Sequence, residues 1–433
     1  MLSREDNDLL TRVGPGTPLG EYMRRFWIPG MLEEELAAPD CDPVRLRLLG
    51  EDLVAFRDTN GKIGILDAYC PHRMAHLYFG RNEECGIRCV YHGWKFDVDG
   101  NCVDMPSEPE GERLKKNIKT TSYPAVARGG LVWVYMGPKE KMPELPDFEW
   151  NRLGPNAHVA RKSIYEANYL QSVEGGLDSA HISFLHRSLK ELRGEGLKTL
   201  HQKYARNGHP VFEVRPADHG LLVAARRDAE PDTYYWRVTP FLLPFYMMTP
   251  PILQHDPNSL KCDYSGFAWV PIDDEHTATI SIYSRPYGEF SADELEKLRG
   301  PEGVLGDATW PDYRGTQNKS NDYMMDRRIQ RTENFTGIKT IQVQDQAVTE
   351  SMGPIAQRWK EHLGTTDLGI IQMRRLLKKQ VEDLQNGIEP EVVQNPGAYN
   401  VRPASIIMDR KAHYSEGAMW LINRAREDKQ AAE

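Results

Sequence analysis

The sequence predicts an α+β protein whose first half is rich in β-structure and whose second half combines an antiparallel sheet with a long helix. Residues 44–48 alternate apolar and polar side chains, and Asn60-Gly61 then marks a hairpin turn into the next strand. Residues 367–385 place apolar side chains at helical spacing and are followed by an Asn-Gly pair typical of helix C-termini. These three features predict the fold class and leave the function open.

The N-terminal arm, residues 1–40, is predicted to be helical. Ser3 can cap a first helix, and the glycines and prolines of residues 14–18 end it. Residues 19–36 are predicted to form a second helix with Trp27 as an anchor. The glycine run is not a dinucleotide-binding loop, because it follows a helix and lacks the G-x-G-x-x-G spacing.

Two domains are predicted after the arm. Residues 41–160 form the β-rich domain, and a late strand of this domain lies at residues 131–136. Residues 161–433 form the second domain. Its strands follow one another with few helices between them, which favours an antiparallel sheet. These strands are predicted at residues 221–226, 234–239, 266–271 and 277–284.

Composition and charge exclude several classes of protein. The net charge is −9, and no basic footprint for nucleic acid is visible. Of the six cysteines, the four other than Cys70 and Cys89 have no obvious pairing pattern, which favours a reducing cytoplasm over a disulfide framework. The N-terminus is polar and does not resemble a signal peptide. The most apolar segment, residues 241–253, is interrupted by three prolines, so we expect no membrane span.

Two Cys-His pairs lie in the predicted β-rich domain. Cys70 and His72 have C-x-H spacing, Cys89 and His92 have C-x-x-H spacing, and residues 73–88 separate the pairs. In a Rieske [2Fe–2S] cluster, two cysteines bind one iron and two histidines bind the other. The alternative is a structural zinc site with the same four ligands, but zinc fingers usually pair two cysteines and then two histidines. The spacing therefore favours the cluster.

A second set of metal-binding residue types occupies residues 178–186. Asp178, His181 and His186 lie within these nine positions. Two histidines beside a carboxylate favour a hard or borderline metal with open coordination positions. An ideal helix would turn residues five apart by roughly 140° from each other, so one metal requires a wide turn or a helix break between the histidines. The alternative is two ordinary histidines on a partly buried helix.

With these motifs, the chain resembles the oxygenase component of the Rieske non-haem iron oxygenases, specifically the phthalate dioxygenase type. The resemblance implies an all-β Rieske domain followed by a helix-grip catalytic domain, in which a curved antiparallel sheet wraps a long C-terminal helix. It covers nearly the whole chain. Besides the two Cys-His pairs, it is carried by residues 89–97, 104–107, 178–186, 344–348 and 350–354.

The resemblance also implies a third ligand for a mononuclear Fe(II). Asp345 matches the family position and would complete a triad of two histidines and one carboxylate, which leaves one face of the iron open. Spacing alone cannot separate this residue from Asp322, Asp326 or Glu350. The choice of Asp345 therefore depends on the resemblance.

Asp178 has a different role in the resemblance. In the family, the matching aspartate bridges the cluster histidine at His92 and the iron ligand at His181 across a subunit boundary, which implies a homotrimer or a stacked hexamer. A carboxylate on the far nitrogen of a ligating imidazole fixes its tautomer and orientation. The alternative is a carboxylate that only stabilises a helix end.

The activity implied by the resemblance is cis-dihydroxylation of phthalate, isophthalate or a substituted benzoate with O2. The chain contains no flavin or nicotinamide motif, so a separate flavin/iron–sulfur reductase is expected to supply electrons. An anionic substrate needs a local cationic anchor in a protein of net charge −9, and Arg206 and Arg237 are the candidates. An exposed strand arginine is the alternative for Arg237. The rival functions are a monooxygenase or O-demethylase on the same scaffold and a zinc-binding protein without enzymatic activity.

Overall fold

The chain forms two compact units that combine antiparallel sheets with helices. The computed structural model describes residues 1–253, 262–300 and 306–432. The smaller unit contains Val13–Pro143 and Val270–Asp273. The larger unit contains Met1–Arg12, Glu144–Trp269 and Asp274–Glu433. The predicted α+β class is confirmed.

The helices and strands have the following bounds. The α-helices are α1 Arg4–Thr11, α2 Pro18–Met23, α3 Gly111–Leu114, α4 Tyr169–Leu177, α5 Leu189–Leu192, α6 Leu200–Tyr204, α7 Ala292–Arg299, α8 Arg327–Thr332, α9 Ile341–Ser351, α10 Leu368–Gln385, α11 Tyr414–Gly417 and α12 Met419–Ala432. The strands are β1 Trp27–Leu32, β2 Val44–Leu48, β3 Glu51–Arg57, β4 Ile63–Asp67, β5 Arg81–Glu83, β6 Gly86–Arg88, β7 Lys95–Phe96, β8 Cys102–Asp104, β9 Ser122–Tyr123, β10 Ala125–Arg128, β11 Leu131–Tyr135, β12 His158–Tyr165, β13 Val211–Ala217, β14 Gly220–Asp228, β15 Thr233–Leu242, β16 Tyr246–Thr249, β17 Tyr264–Pro271, β18 Thr277–Ser284 and β19 Ala404–Asp409. Among the helices that the structure describes, none combines the length and the apolar character needed to cross a membrane.

The smaller unit is built from three antiparallel sheets. Their strand orders are β1-β11-β10, β2-β3-β4-β9 and β5-β6-β7-β8. The side chains of β2 alternate between buried and exposed, so one face of this strand packs into the core as the sequence pattern predicts. The predicted hairpin joins β3 to β4, and Gly61 adopts the left-handed conformation in its turn with a φ of 80°.

The N-terminal arm follows the prediction only in its first part. Ser3 caps α1 as predicted, because its Oγ accepts the Asp6 N–H at 2.9 Å. The helix predicted over residues 19–36 is wrong beyond the end of α2, since the chain then forms strand β1. Pro29 lies in this strand and would disrupt a helix interior. Trp27 is buried in β1 and faces Tyr135 of β11, so pairing with a distant strand overrides local helix propensity.

The larger unit contains one long sheet, with strand order β12-β18-β17-β16-β15-β14-β13. Strand β12 pairs with β18 over its whole length, and β15 pairs with β14 on one side and with β16 and β19 on the other. All these pairs are antiparallel, as are those joining β13 to β14 and β16 to β17. The four strands predicted in this part of the chain are present as β14, β15, β17 and β18.

Helix α10 is the long helix predicted near the C-terminus. Its apolar positions Ile370, Met373, Leu377 and Val381 are buried, and the helix lies against β13 and β14. A Cβ atom added at Gly369 would come within 2.9 Å of a methyl group of β14, so the small residue lets the helix approach the sheet closely. The predicted helix and its buried side are confirmed.

A buried ion-pair network ties α10 to α4, the helix that precedes the Asp-His stretch. Glu174 of α4 accepts from Arg358 at 2.8 and 3.0 Å and from Arg374 of α10 at 2.7 Å. Burial alone would raise the pKa of Glu174, but the charges and hydrogen bonds of the two guanidinium groups hold that pKa below its ordinary value. Glu174 therefore stays ionised and fixes the C-terminal half of α4 in place.

Candidate metal centres

Two loops with the same backbone turn carry the Cys-His pairs. In each loop, the cysteine N–H donates to the carbonyl of the residue five positions on, at 2.8 Å for both Cys70 and Cys89. The carbonyl of each cysteine accepts from the N–H four positions on, at 2.9 Å in both loops. The residue at that fourth position, Met74 or Gly93, has a left-handed φ of 59° or 77°. The repeated turn therefore presents the side chains of both pairs in the same way.

The four side chains of these pairs come together. Cys70 and Cys89 are buried in one core cluster of the smaller unit, and the rings of His72 and His92 lie 4.4 Å apart between centroids. Burial raises the pKa of the Cys70 thiol, so this sulfur would not ionise without a neighbouring positive charge. The Nδ1 atom of His72 is buried and has no hydrogen-bond partner among the described residues. Two buried thiols beside such a nitrogen fit the donor set of a [2Fe–2S] cluster.

An aromatic ring and an arginine hold the second loop. The ring of Trp94 stacks on that of His72, with centroids 4.3 Å apart and planes 6° apart, and its indole N–H donates to Ser107 at 3.3 Å. Arg88 donates to the carbonyl of Gly93 at 2.8 Å. Trp94 is buried and covers one imidazole face, which excludes water from that side of the centre.

The second candidate centre lies where α4 ends. The chain leaves the helix after Leu177 and makes a short 3-10 turn at His181–Ser183, which is the break that convergence of the two histidines requires. The Nε2 atoms of His181 and His186 are 3.2 Å apart. Helix α9 brings Oδ1 of Asp345 to 3.7 Å from the first nitrogen and 3.2 Å from the second. Ligands with bonds of about 2.1 Å at right angles lie about 3 Å apart, so the three atoms fit one face of a metal ion.

The electrostatics of this group also favour a cation. Burial would lower the pKa of His186, but the hydrogen bond and charge of Asp345 raise it above its ordinary value. The carboxylate therefore stabilises positive charge at the point where the two imidazole nitrogens meet. Either a proton or a metal ion can supply that charge, and only a metal ion can accept lone pairs from all three residues at once.

Asp178 lies behind His181 on the side away from the candidate centre. Its Oδ2 is 3.6 Å from Nδ1 of His181, while its Oδ1 accepts the Ala180 N–H at 2.7 Å. Burial would raise the pKa of Asp178, but the hydrogen bond and charge of His181 and the backbone N–H groups lower it below its ordinary value. The carboxylate is therefore ionised. One of its oxygens accepts from the backbone turn, and the other faces the imidazole of His181.

The three alternatives to Asp345 are placed differently: two have other partners and the third is exposed. The carboxylate of Asp326 accepts backbone N–H groups in the first turn of α8 and so caps this helix. The carboxylate of Glu350 accepts from the Tyr323 hydroxyl at 2.5 Å. Asp322 is exposed. Among the described residues, His181, His186 and Asp345 form the one group of three metal-binding side chains whose ligand atoms lie within 4.8 Å of one another.

A cavity of about 1100 Å³ opens beside this group within the larger unit. Of the two arginines that the sequence nominates, Arg237 contributes to its wall, whereas Arg206 is exposed and does not line it. Its apolar and aromatic wall includes Ile182, Met247, Phe267, Trp269 and Tyr283. The cavity thus joins an apolar surface to a candidate metal centre, which is the usual construction of a small-molecule site.

One end of the cavity carries excess positive charge. Arg187 and Arg237 line it, and Arg227 is buried behind it, where burial lowers the pKa of its guanidinium to about 10. Within the described chain, the one carboxylate within 4 Å of these three groups is Glu191, at 3.8 Å from Arg187. His201 adds no charge, because burial and then Arg237 hold its pKa well below the ordinary value. This end is suited to an anion.

Sequence reasoning did not nominate Arg187 or His201. The Nε of Arg187 is buried without a hydrogen-bond partner in the described part of the chain, and Nδ1 of His201 lies 3.1 Å from Nη1 of Arg237. Because an arginine only donates, this nitrogen accepts, and the imidazole carries its proton on Nε2. The position of Arg187 directly after His186 could have marked it as a residue near the candidate centre. Nothing in the sequence marks His201 in this way.

Most of the chain matches two known protein families. Residues 26–124 match the Rieske [2Fe-2S] domain, and residues 134–411 match the family described as LigXa C-terminal domain like. The chain is 39% identical to the phthalate 4,5-dioxygenase oxygenase subunit of Pseudomonas putida, over 89% of this chain and 88% of that protein. It is 38% identical to the 3-chlorobenzoate-3,4-dioxygenase oxygenase subunit of Comamonas testosteroni, over 92% of this chain and 93% of that protein.

Another relative and a solved structure extend the comparison. The 5,5'-dehydrodivanillate O-demethylase oxygenase subunit of a Sphingobium species is 33% identical over 92% of this chain and 85% of that protein. The crystal structure of dicamba monooxygenase bound to dicamba superposes with a TM-score of 0.60 and 20% identity, over 84% of this chain and 98% of that one. This last likeness concerns the fold alone.

Replacing Asp345 by alanine tests the second centre. Because this removes one of three converging ligand atoms, we expect the variant to lose the mononuclear metal and all turnover while it keeps the cluster spectrum. Metal analysis with visible and EPR spectra would measure both. Asp326→Ala is the control, since it removes a helix-capping carboxylate away from the centre. Equal metal content in the Asp345 variant and the wild type would contradict the assignment.

Proposed function

The chain belongs to the Rieske non-haem iron oxygenases, and from that premise we propose that it cis-dihydroxylates an aromatic carboxylate. It is an oxygenase component that uses dioxygen and depends on a separate reductase for electrons. Its cofactors are a Rieske [2Fe–2S] cluster and a mononuclear iron. The observation that supports the substrate class is the cationic end of a largely apolar cavity beside the group of His181, His186 and Asp345.

We propose that the two predicted domains divide the chemistry, with the cluster in residues 41–160 and the iron in residues 161–433. When bound, the cluster stores an electron and the iron provides open positions for dioxygen. The proposed cluster ligands are Cys70, His72, Cys89 and His92. The proposed iron ligands are His181, His186 and Asp345. The remaining side chains orient these ligands, exclude water and bind substrate.

Substrate binding is proposed to start from its carboxylate. Arg187 and Arg237 line the cavity, and among the described residues the one carboxylate within 4 Å of either guanidinium is Glu191, at 3.8 Å from Arg187. A bound carboxylate would compensate both guanidinium charges and accept from the Arg187 Nε, which has no hydrogen-bond partner in the described part of the chain. Anchoring one end of the substrate in this way leaves its ring against the apolar wall beside the iron ligands. Phthalate, isophthalate and substituted benzoates all fit this arrangement.

The proposed role of Asp178 is to connect the two metal centres of neighbouring subunits. One carboxylate oxygen faces Nδ1 of His181, and its side chain is 26% exposed, so a second imidazole can approach. We propose that His92 of a neighbouring subunit is that partner, in a homotrimer or a stacked hexamer. Such a bridge orients both imidazoles through their free ring N–H groups.

A monooxygenase or O-demethylase activity is the second candidate. The relative that demethylates 5,5'-dehydrodivanillate motivates it, because that protein is similar over nearly the same length as the dioxygenase relatives. The same cavity would accept a methoxy-substituted aromatic acid. For either activity we propose a flavin/iron–sulfur reductase as the electron donor and the cytoplasm as the location.

An isotope experiment separates these functions. The protein, supplied with a surrogate reductase and NAD(P)H, is screened for oxygen uptake with aromatic carboxylates, and the product made under ¹⁸O2 is analysed by mass spectrometry. We expect a cis-diol that carries both labelled oxygen atoms. A phenol or alcohol with one labelled atom would indicate the monooxygenase. Absence of substrate-dependent uptake across benzoates and phthalates would contradict the proposed substrate class.

Removal of the proposed anchor should weaken substrate binding. Arg237→Gln keeps a polar side chain but removes the charge. Because a charge-assisted contact contributes about 1.5–3 kcal/mol, we expect KM to rise roughly 10- to 160-fold. Arg206→Gln is the matched control, because Arg206 lies outside the cavity wall. Steady-state kinetics with coupled product analysis would measure the effect. An equal change of KM in both variants, or a change of KM only in Arg206→Gln, would show that Arg237 is not the anchor.

Asp178→Asn should block electron transfer while both metals stay bound. The substitution keeps the size and one acceptor but removes the charge and places a donor against an imidazole N–H. In a single turnover of pre-reduced protein with substrate, we expect the cluster to stay reduced after dioxygen is added and little product to form. Rapid reoxidation of the cluster with a normal product yield would show that Asp178 is only a helix-end carboxylate.

A further inference from the structure

Gln344 lies directly behind the second iron histidine. Its Oε1 is 2.9 Å from Nδ1 of His186, and its side chain is buried, with 4% exposure. It belongs to the first turn and a half of α9, next to Asp345. One short piece of helix therefore carries a candidate ligand and a group that contacts another ligand.

The orientation of the Gln344 amide follows from its second contact. Its Nε2 donates to the carbonyl of Ile338 at 2.8 Å. A carbonyl only accepts, so the amide nitrogen must face Ile338 and the amide oxygen must face His186. The oxygen in turn requires a proton on Nδ1 of His186. This leaves the Nε2 lone pair of the imidazole free to face His181 and Asp345.

We propose that Gln344 is the positioning residue that holds His186 in the tautomer and ring orientation needed to bind the iron. The inference rests on the proposed function, because it takes His186 as an iron ligand. A hydrogen bond to the far nitrogen of a ligating histidine commonly has this effect, and its loss weakens metal binding 10- to 100-fold. Gln344 does not touch the substrate or the metal in this assignment.

The two iron histidines thus have different partners on their far nitrogens. His181 faces the ionised Asp178, whereas His186 faces a neutral amide. With an Fe(II) ion, Asp345 and Asp178 already balance the two positive charges. A carboxylate behind His186 would be the third at this site and would add a buried negative charge, which is costly in a poorly solvated environment. A neutral acceptor orients the ring without this cost.

Helix α9 gives a matched control for the experiment. Gln342 is two residues upstream and almost equally buried, at 6% exposure. Its Nε2 donates to the Tyr165 hydroxyl at 2.8 Å and to no candidate ligand. Loss of this amide removes a buried hydrogen bond from the same helix but leaves the imidazole contact intact.

The test measures metal affinity in three variants. Full-length protein with its cluster is depleted of mononuclear metal and titrated with Co(II) by isothermal calorimetry. We expect Gln344→Leu, which is similar in size but has no acceptor, to bind Co(II) 10- to 100-fold more weakly than wild type. Gln344→Glu should stay within a few-fold, because the neutral, protonated carboxyl keeps the acceptor for His186, donates to Ile338 and adds no buried charge. Gln342→Leu should bind as wild type does.

The order of the variants separates positioning from packing. If Gln344 only fills space, leucine should be tolerated and a buried glutamate should be worse, which would overturn the proposal. Equal Co(II) affinity in Gln344→Leu and wild type would also overturn it while leaving the iron site intact. If wild-type protein binds no Co(II), the proposed iron site itself fails, and this outcome is distinct from both.

Discussion

The larger unit is organised around three electron-pair donors that face one another. Two imidazole nitrogens and one carboxylate oxygen lie 3.2–3.7 Å apart. Such a group favours a cation, and its geometry fits one face of a metal ion. The helix break after Leu177, the placement of α9, the carboxylate of Asp178 behind His181 and the amide of Gln344 behind His186 all serve to hold these atoms together. The buried network around Glu174 fixes the helix that precedes them.

The two centres achieve their geometry by different means. Each loop of the cluster centre repeats one short turn, so its form is set by residues close together in sequence. The mononuclear centre combines a broken helix with a second helix far along the chain. The distances between its ligand atoms therefore depend on tertiary packing. The cavity beside it adds a local excess of positive charge within a protein of net charge −9. An acidic protein can therefore bind an anionic substrate, because the relevant field is local.

Sequence reasoning succeeded where the information is local. The strands of the smaller unit, α10 and the Cys-His spacing depend on patterns within a few residues. It failed at residues 19–36, where pairing of β1 with β11 decides the structure across about a hundred residues. It also missed Gln344, which contacts a histidine 158 positions away. The role of His201 becomes visible only in the cavity that the folded sheet creates, whereas Arg187 is marked in the sequence only by its position directly after His186.

We propose that one chain holds two chemically distinct iron centres with the ligands assigned above. Mössbauer spectroscopy of ⁵⁷Fe-enriched, reduced protein, combined with sulfide analysis, tests this assignment. We expect about two cluster irons, one with cysteine and one with histidine ligands, for each mononuclear high-spin Fe(II). In Asp345→Ala, the mononuclear signal alone should disappear. Zinc without sulfide, or loss of the cluster signal in that variant, would show that the ligands are assigned wrongly.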